Sequence, residues 1–465
     1  MIEVRRWRRL VSGVAAVLVA GSLSAQGPEP ATGVKFPVIS QADLKTWLSY
    51  LASDETQGRQ VFTEGYGIAA QYVSERLREF GVKPLGDHGT YFQIVKVTSY
   101  RVRRNSSVTI ERQGQARTFK DGDHVAFPAD AGGKQTVVLS ADQVSTAMVR
   151  GALPAPTDVP PTTRRIDAIR PPALIGDDVF FAALSPATPD VRVTIQVDNT
   201  YQPLTTQLTR NVVGLVEGTD PKLKVTYVLF GAHLDHVGYA TSAQDRKGVV
   251  NVPIDRDPIW NGADDDGTGS TAELGIAKAF ATGPKPKRSI VFLWHAGEEA
   301  DLYGSLYNAD FPVVPIDKVQ CELNIDMIGR NRDNDVRQAN TLFVIGADRI
   351  STDLHNLIVD TNAGARAPLT LDYEYNDPAD PNSFYTRSDH FAYASKGIPI
   401  AFFFTGTHPD YHANTDSVDN ILFEKQARIA QLVYQVGFAV ADSERPLRRD
   451  NQGPRAGKGY SGRIR

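Results

Sequence analysis

The spacing of apolar residues divides the chain into stretches of different period. Near the amino end the period is helical. "QADLKTWLSYLASDETQGR" reads as an amphipathic helix followed by a turn. "EGYGIAAQYVSERLREFGVKPLG" puts Ile68, Tyr72, Val73, Leu77 and Phe80 on one face, with Gly81 as its stop. From about 103 to 200 short alternating runs take over ("SSVTIER", "QTVVLSA", "DVRVTIQV"), broken by the proline-rich "LPAPTDVPPTTRR". This pattern predicts a separate, mainly β insertion. From Asn211 onward the apolar runs become continuous: "KVTYVLF", "RSIVFLW", "CELNIDM" and "IPIAFFF". Such runs mark strands covered on both faces. Helical patterns separate them, notably "STAELGIAKAFA", where Ser270 and Glu273 have capping-box spacing. The alternation predicts an α/β fold: a mixed, largely parallel central sheet with helices on both faces, plus the smaller β insertion.

Composition changes this picture little. The chain has 465 residues, 41% hydrophobic and 22% charged, enough for one large domain with an insertion or for two to three domains. A formal net charge of −4 argues against nucleic acid or an anionic membrane as partner. The single cysteine, Cys321, excludes an intramolecular disulfide and reads as a small buried apolar residue. The ends differ from the rest. "MIEVRRWRRL" followed by "VSGVAAVLVAGSLSA" has the charge and length of a secretory signal, residues 1–25, cleaved near Ala25. It predicts a secreted or periplasmic protein with no stable membrane association after cleavage. The polar, basic end, residues 446–465, is expected to be disordered.

Candidate chemistry gathers just after the apolar runs. His233 and Asp235 follow "VTYVLF"; Glu298 and Glu299 follow "SIVFLW"; Asp326 ends "CELNID"; His408, His412 and Asp416 follow "IPIAFFF"; and "NGADDDGTGS" opens a helix between the first two. In open α/β sheets, functional groups collect at the carboxyl ends of strands. Mixed carboxylate and imidazole donors suit zinc or a similar divalent ion. Adjacent side chains on a turn diverge, so one of Glu298 and Glu299 can bind metal while the other acts as a base. Asp264 and Asp266 read as helix-start and turn residues. His236, His295 and His390 read as packing or hydrogen-bonding residues, while "SDH" at 388–390 suits the cleft or the structure equally. HExxH, GxSxG and Walker A motifs are absent, and an EF-hand starting at Asp264 would place its terminal Glu on Gly275.

In this order, "GAHLDHVG", "GADDDGTGS", "AGEEADLYGS", "NIDMIG" and "DYHANTD" resemble the signature segments of peptidase family M28, the co-catalytic zinc peptidases of the bacterial aminopeptidase type. The resemblance covers residues 205–440, and "LASDETQGR" through "YFQIV" is similar to the family's N-terminal segment. It implies two Zn2+ per chain, held by His233, Asp265, Glu299, Asp326 and His412. Asp265 would bridge, with His233 and Asp326 on one ion and Glu299 and His412 on the other. Glu298 would be the general base, Asp235 would orient His233, and Tyr411 would donate to the tetrahedral oxyanion. The resemblance also favours His412 over His408, because His412 holds the family's spacing to Asp416. The implied domains are residues 36–102 and 201–445 for the catalytic unit and 103–200 for the insertion. That insertion occupies the place of a protease-associated domain and is expected to act as a lid or wall. The implied activity is removal of N-terminal residues from peptides with a free amino terminus. Carboxypeptidase, dipeptidase or glutaminyl cyclase chemistry, or a non-catalytic binding role, are the alternatives on the same fold.

Overall fold

The computed structural model describes residues 27–127, 133–153, 174–186, 188–239, 257–457 and 462–464. The predicted signal, residues 1–25, lies outside them. Two helices come first, α1 (Gln41–Leu51) and α2 (Glu64–Phe80). Each starts where theory puts a start: the Ser40 and Thr63 side chains accept from the amides of Asp43 and Tyr66, and Gly81 closes α2 in the left-handed region at φ 79°. The buried stripe of α2 is Tyr66, Ala69, Ala70, Val73 and Leu77. Ile68, Tyr72 and Phe80, expected on that face, are only half-buried at its margin. Small Ala69 and Ala70 let the helix approach closely, which a reading that weighs only large apolar residues overlooks.

Two long strands follow, β1 (Phe92–Arg104) and β2 (Arg192–Val216), with β1 paired antiparallel against residues 199–212 of β2. Then come β3 (Tyr227–His233), helix α3 (Gly267–Thr282), β4 (Ser289–His295), helix α4 (Tyr303–Asp310), β5 (Val319–Ile325), β6 (Ile400–Phe404) and helix α5 (Phe423–Asp442). The sheet is mixed. Strands β4, β3, β5 and β6 lie side by side and mutually parallel, so their carboxyl ends share one edge. Strand β2 closes the β4 side antiparallel. Alternation sorts the side chains: Phe230 and Phe292 pack with Phe280 of α3 and Tyr434 of α5 on one face, and Leu229 and Val291 join Ala309 and Ile400 on the other. Helices thus cover both faces, which is why these four strands read as unbroken apolar runs.

Residues 107–197 carry their own core, with Val108, Ile110, Phe119, Phe180 and Val193 buried together. They are joined to the rest through β2, whose first half pairs with Ser107–Arg112 and Gly133–Ser140 and whose second half pairs with β1 and β4. One twisted sheet therefore passes through both regions, where the sequence suggested a separate unit. The tail also differs from expectation over its described part. Leu447 and Ala456 are 6% and 4% exposed, and Arg448 forks onto Asp353 at 3.0 Å from Nε to each oxygen. Its polar composition hides two buried apolar anchors and one charge pair, which order the backbone between them.

Candidate metal centre

At the carboxyl edge the strands deliver their terminal side chains to one point. His233 ends β3 and Asp326 directly follows β5. Asp265 precedes α3, Glu298 and Glu299 follow β4 after the positive-φ turn at Gly297 (φ 74°), and His412 follows β6 in left-handed backbone (φ 53°). A non-glycine residue in that region costs free energy and turns up where a side chain must be aimed. The helix start is pressed against the sheet: a Cβ on Gly269 would sit 2.2 Å from the Ile325 carbonyl oxygen, so only glycine lets the aspartate loop approach β5.

Asp265 sits between two sets of donors. Its Oδ1 lies 3.2 Å from His233 Nε2, which is 3.7 Å from Asp326 Oδ1. Its Oδ2 lies 3.1 Å from His412 Nε2, which is 3.1 Å from Glu299 Oε2. Four-coordinate zinc with bonds of about 2.0–2.2 Å places its ligands about 3.3–3.6 Å apart, the edge of the tetrahedron. The donor spacings here, 3.1–3.7 Å, bracket that edge. Charge agrees with spacing. Burial disfavours the His412 cation, but Glu299 and Asp265 outweigh it and push its pKa up to about 11. His233 behaves alike: burial opposes its charge, yet Glu298, Asp265 and Asp326 raise it well above the imidazole range. Burial together with Glu299 and Asp326 drives the Glu298 carboxyl well up, against the pull of His233. The side chains hold excess negative charge that protonated histidines balance in part, and divalent cations would balance it better.

All five residues predicted as ligands meet here, and Glu298 stands beside them with Oε2 4.0 Å from His233 Nε2. Tyr411 stacks on the His412 ring at 3.9 Å. Asp235 corrects the expectation. Its carboxylate is 3.9 Å from His233 Nδ1, and it is the backbone carbonyl of Asp235 that accepts from Nδ1, at 3.0 Å. Oδ1 of Asp235 accepts instead from the amides of Gly297 and Glu298, at 2.7 and 3.1 Å. A two-residue separation on a strand end leaves the carboxylate pointing past the imidazole, into the glutamate turn. Asp235 thus fixes the backbone that presents Glu298 and Glu299.

Neighbouring groups fall into supporting positions. Asp266 caps α3, accepting from Gly269 at 2.9 Å, and its other oxygen accepts from the His233 amide at 3.2 Å. The expected capping box therefore does not form. Ser270 lies a turn inside the helix and donates to the His233 carbonyl at 2.7 Å, while Glu273 accepts from the Leu293 amide at 2.8 Å. Asp264 holds Gly329 and faces His408 at 3.2 Å, which draws His408 away from the centre. His295 lies between Tyr393 and Asp389, and His390 stacks on Phe402.

Two residues exceed the sequence reading. His236, expected as a packing histidine, brings Nδ1 to 2.9 Å from Glu299 Oε1 and 3.8 Å from Asp265 Oδ2, so it too belongs to the second donor set. The only sequence signal was its place in "HLDH". Arg59, in "DETQGR", is 1% exposed and donates to the carbonyls of Leu51, Leu234, Asn261 and Gly262 at 2.6–2.9 Å. It ties the loop after His233 to the loop before Asp265. Arg59→Met is expected to cost at least about 3 kcal/mol, because each lost bond to a charged donor is worth about 1.5–3 kcal/mol and the carbonyls stay buried. Urea unfolding reads this. A loss below about 1 kcal/mol would show that water replaces the guanidinium and that the clamp is dispensable.

Fold and site together define an α/β protein with a cluster of carboxylates and imidazoles that could hold a divalent metal at the carboxyl edge of its sheet. Residues 211–437 match the model described as Peptidase family M28. The chain is 27% identical over 238 residues to the probable leucine aminopeptidase of Arthroderma otae, covering 49% of this chain and 56% of that one. It is 25% identical over 299 residues to leucine aminopeptidase 2 of Trichophyton equinum, covering 58% and 52%. The chain thus spans about half the length of the curated relatives it matches. Among solved structures, BSAP, a zinc aminopeptidase from Bacillus subtilis, aligns over 88% of this chain and 97% of its own, at 16% identity and a TM-score of 0.48.

Proposed function

We propose that the chain is an exported zinc aminopeptidase that removes amino-terminal residues from peptides, using two zinc ions and Glu298 as general base. The observation that carries this reading is Asp265, whose two carboxylate oxygens face two different donor sets at 3.2 and 3.1 Å. One carboxylate shared in this way is the arrangement of two-metal hydrolases. His233, Asp326 and one oxygen of Asp265 would hold the first ion. Glu299, His412 and the other oxygen would hold the second, with His236 Nδ1 2.9 Å from Glu299 Oε1. When bound, the ions supply the Lewis acidity that polarises a carbonyl and acidifies water.

The remaining work falls to side chains. No described side chain donates a hydrogen bond to the Glu298 carboxylate, which leaves it open to take a proton from the attacking water and return it to the departing amine nitrogen. Tyr411 lines the same cavity, and its hydroxyl accepts from Arg387 at 3.3 Å, leaving its own proton for the tetrahedral oxyanion. Export is supported by the amino-terminal charge and apolar pattern; among the described residues, no helix is long and apolar enough to cross a membrane.

The test is hydrolysis of aminoacyl-p-nitroanilides by the zinc-reconstituted protein, each beside its N-acetylated twin. Cleavage confined to the free-amine series is expected. Equal cleavage of both would sink the aminopeptidase reading, and cleavage of neither with zinc bound would point to another exopeptidase on the same centre.

A further inference from the structure

The centre accounts for every acidic side chain of its cavity but leaves one cation without a task. Among the described residues lining it, Arg387 is the one lysine or arginine. It is exposed and lines the cavity. Its guanidinium carbon lies 5.0 Å from the centroid of the Phe384 ring, and Nη2 donates to the Tyr411 hydroxyl at 3.3 Å. These two contacts hold the planar group in place yet use one of its five N–H donors.

No described carboxylate comes within 4.0 Å of Arg387, although the cavity it lines contains Asp265, Glu298 and Asp326. Other arginines of the same neighbourhood are paired: Arg330 with Asp410 at 2.8 Å, and Arg332 with Glu374 at 3.1 Å. A guanidinium fixed on an aromatic ring, unpaired and turned toward a cavity, has the fork geometry that takes a carboxylate through two parallel hydrogen bonds.

The rest of the wall narrows the source of that carboxylate. Met327, Phe384, Phe402 and Phe404 are buried apolar side chains lining the cavity. An acidic side chain pressed against them would lose its hydration without return, so they suit an apolar first residue. The acid must then come from elsewhere on the substrate.

We propose that Arg387 is a specificity-determining residue that receives a carboxylate of the peptide substrate other than the first side chain. Two sources share this chemistry: the carboxyl terminus of a dipeptide, and an acidic side chain on the second residue. The inference rests on the aminopeptidase reading above.

The test uses the zinc-loaded full chain and two substrate pairs differing only in that charge: Leu-Gly against Leu-Gly-amide, and Leu-Glu-amide against Leu-Gln-amide. The wild type is expected to favour the charged member of at least one pair, and the pair that responds identifies the source. In Arg387→Gln the charged-to-neutral ratio of kcat/KM should fall about 10- to 100-fold, the loss of a hydrogen bond to a charged group. Arg387→Lys should restore part of it. If the arginine merely positions Tyr411, both members of each pair lose rate together and the ratio stays, which overturns the proposal. An unchanged ratio with unchanged rates overturns it equally. Should the wild type cleave none of the four, the aminopeptidase reading itself fails, an outcome distinct from either of these.

Discussion

On the proposed two-zinc reading, Glu298→Gln is expected to leave zinc content unchanged and lower kcat by about 10²- to 10⁴-fold, the usual worth of a positioned general base. The amide has the same shape and volume, so the glutamate turn stays as Asp235 holds it, through the Gly297 and Glu298 amides at 2.7 and 3.1 Å. What is lost is the capacity to accept a proton. KM should change little, because a general base contributes in the transition state rather than to ground-state binding. Glu299→Gln serves as the contrast. Its side chain stands 3.1 Å from His412 and 2.9 Å from His236, so neutralising it should empty the second metal position before it alters chemistry. Zinc content by mass spectrometry beside kcat separates the two. Full activity in Glu298→Gln would mean that the base is another group.

Asp265→Ala should remove zinc from both positions and abolish turnover with it. Among the described residues, no other side chain of the centre presents one oxygen to His233 and the other to His412, at 3.2 and 3.1 Å. Its loss leaves each donor set one ligand short, and paired zinc sites depend on the carboxylate that spans them. A second readout is independent of activity. Binding to the folded state alone stabilises it by about 4 kcal/mol at a free ligand concentration of a thousand times Kd. Wild-type protein should therefore melt at a higher temperature with zinc than with chelator, whereas Asp265→Ala should show one cooperative transition that zinc does not move. A variant that still holds two ions after dialysis would dismiss Asp265 as the bridge.

The strands and their chemistry were legible because each rests on a local pattern. Strand β3 is covered on both faces, so it reads as an unbroken apolar run, and the first polar residue at its end, His233, is where the strand meets the edge of the sheet. The same logic exposes Asp326 after β5 and the glutamate pair after β4. The glycines of "DGTGS" were visible too, and Gly269 explains one of them through its 2.2 Å approach to Ile325. The spacing of Ser270 and Glu273 misled, because Asp266 is an equally good cap one turn earlier and takes the helix start.

The sequence by itself determined the four central strands, helices α1 to α3 and which chemical types stand at the strand ends, because burial imposes a period on neighbours along the chain. Only the tertiary structure decided what those residues touch. It turned the Asp235 carboxylate from His233 to the glutamate turn, brought His236 to Glu299, joined the insertion to the sheet through β2, and anchored the tail by Leu447 and Ala456. It also set Arg59 against carbonyls as far as 206 residues away. Periodicity reports how deeply a residue is buried, whereas its partner depends on which distant loops close on one another, and that is settled by packing across the whole fold.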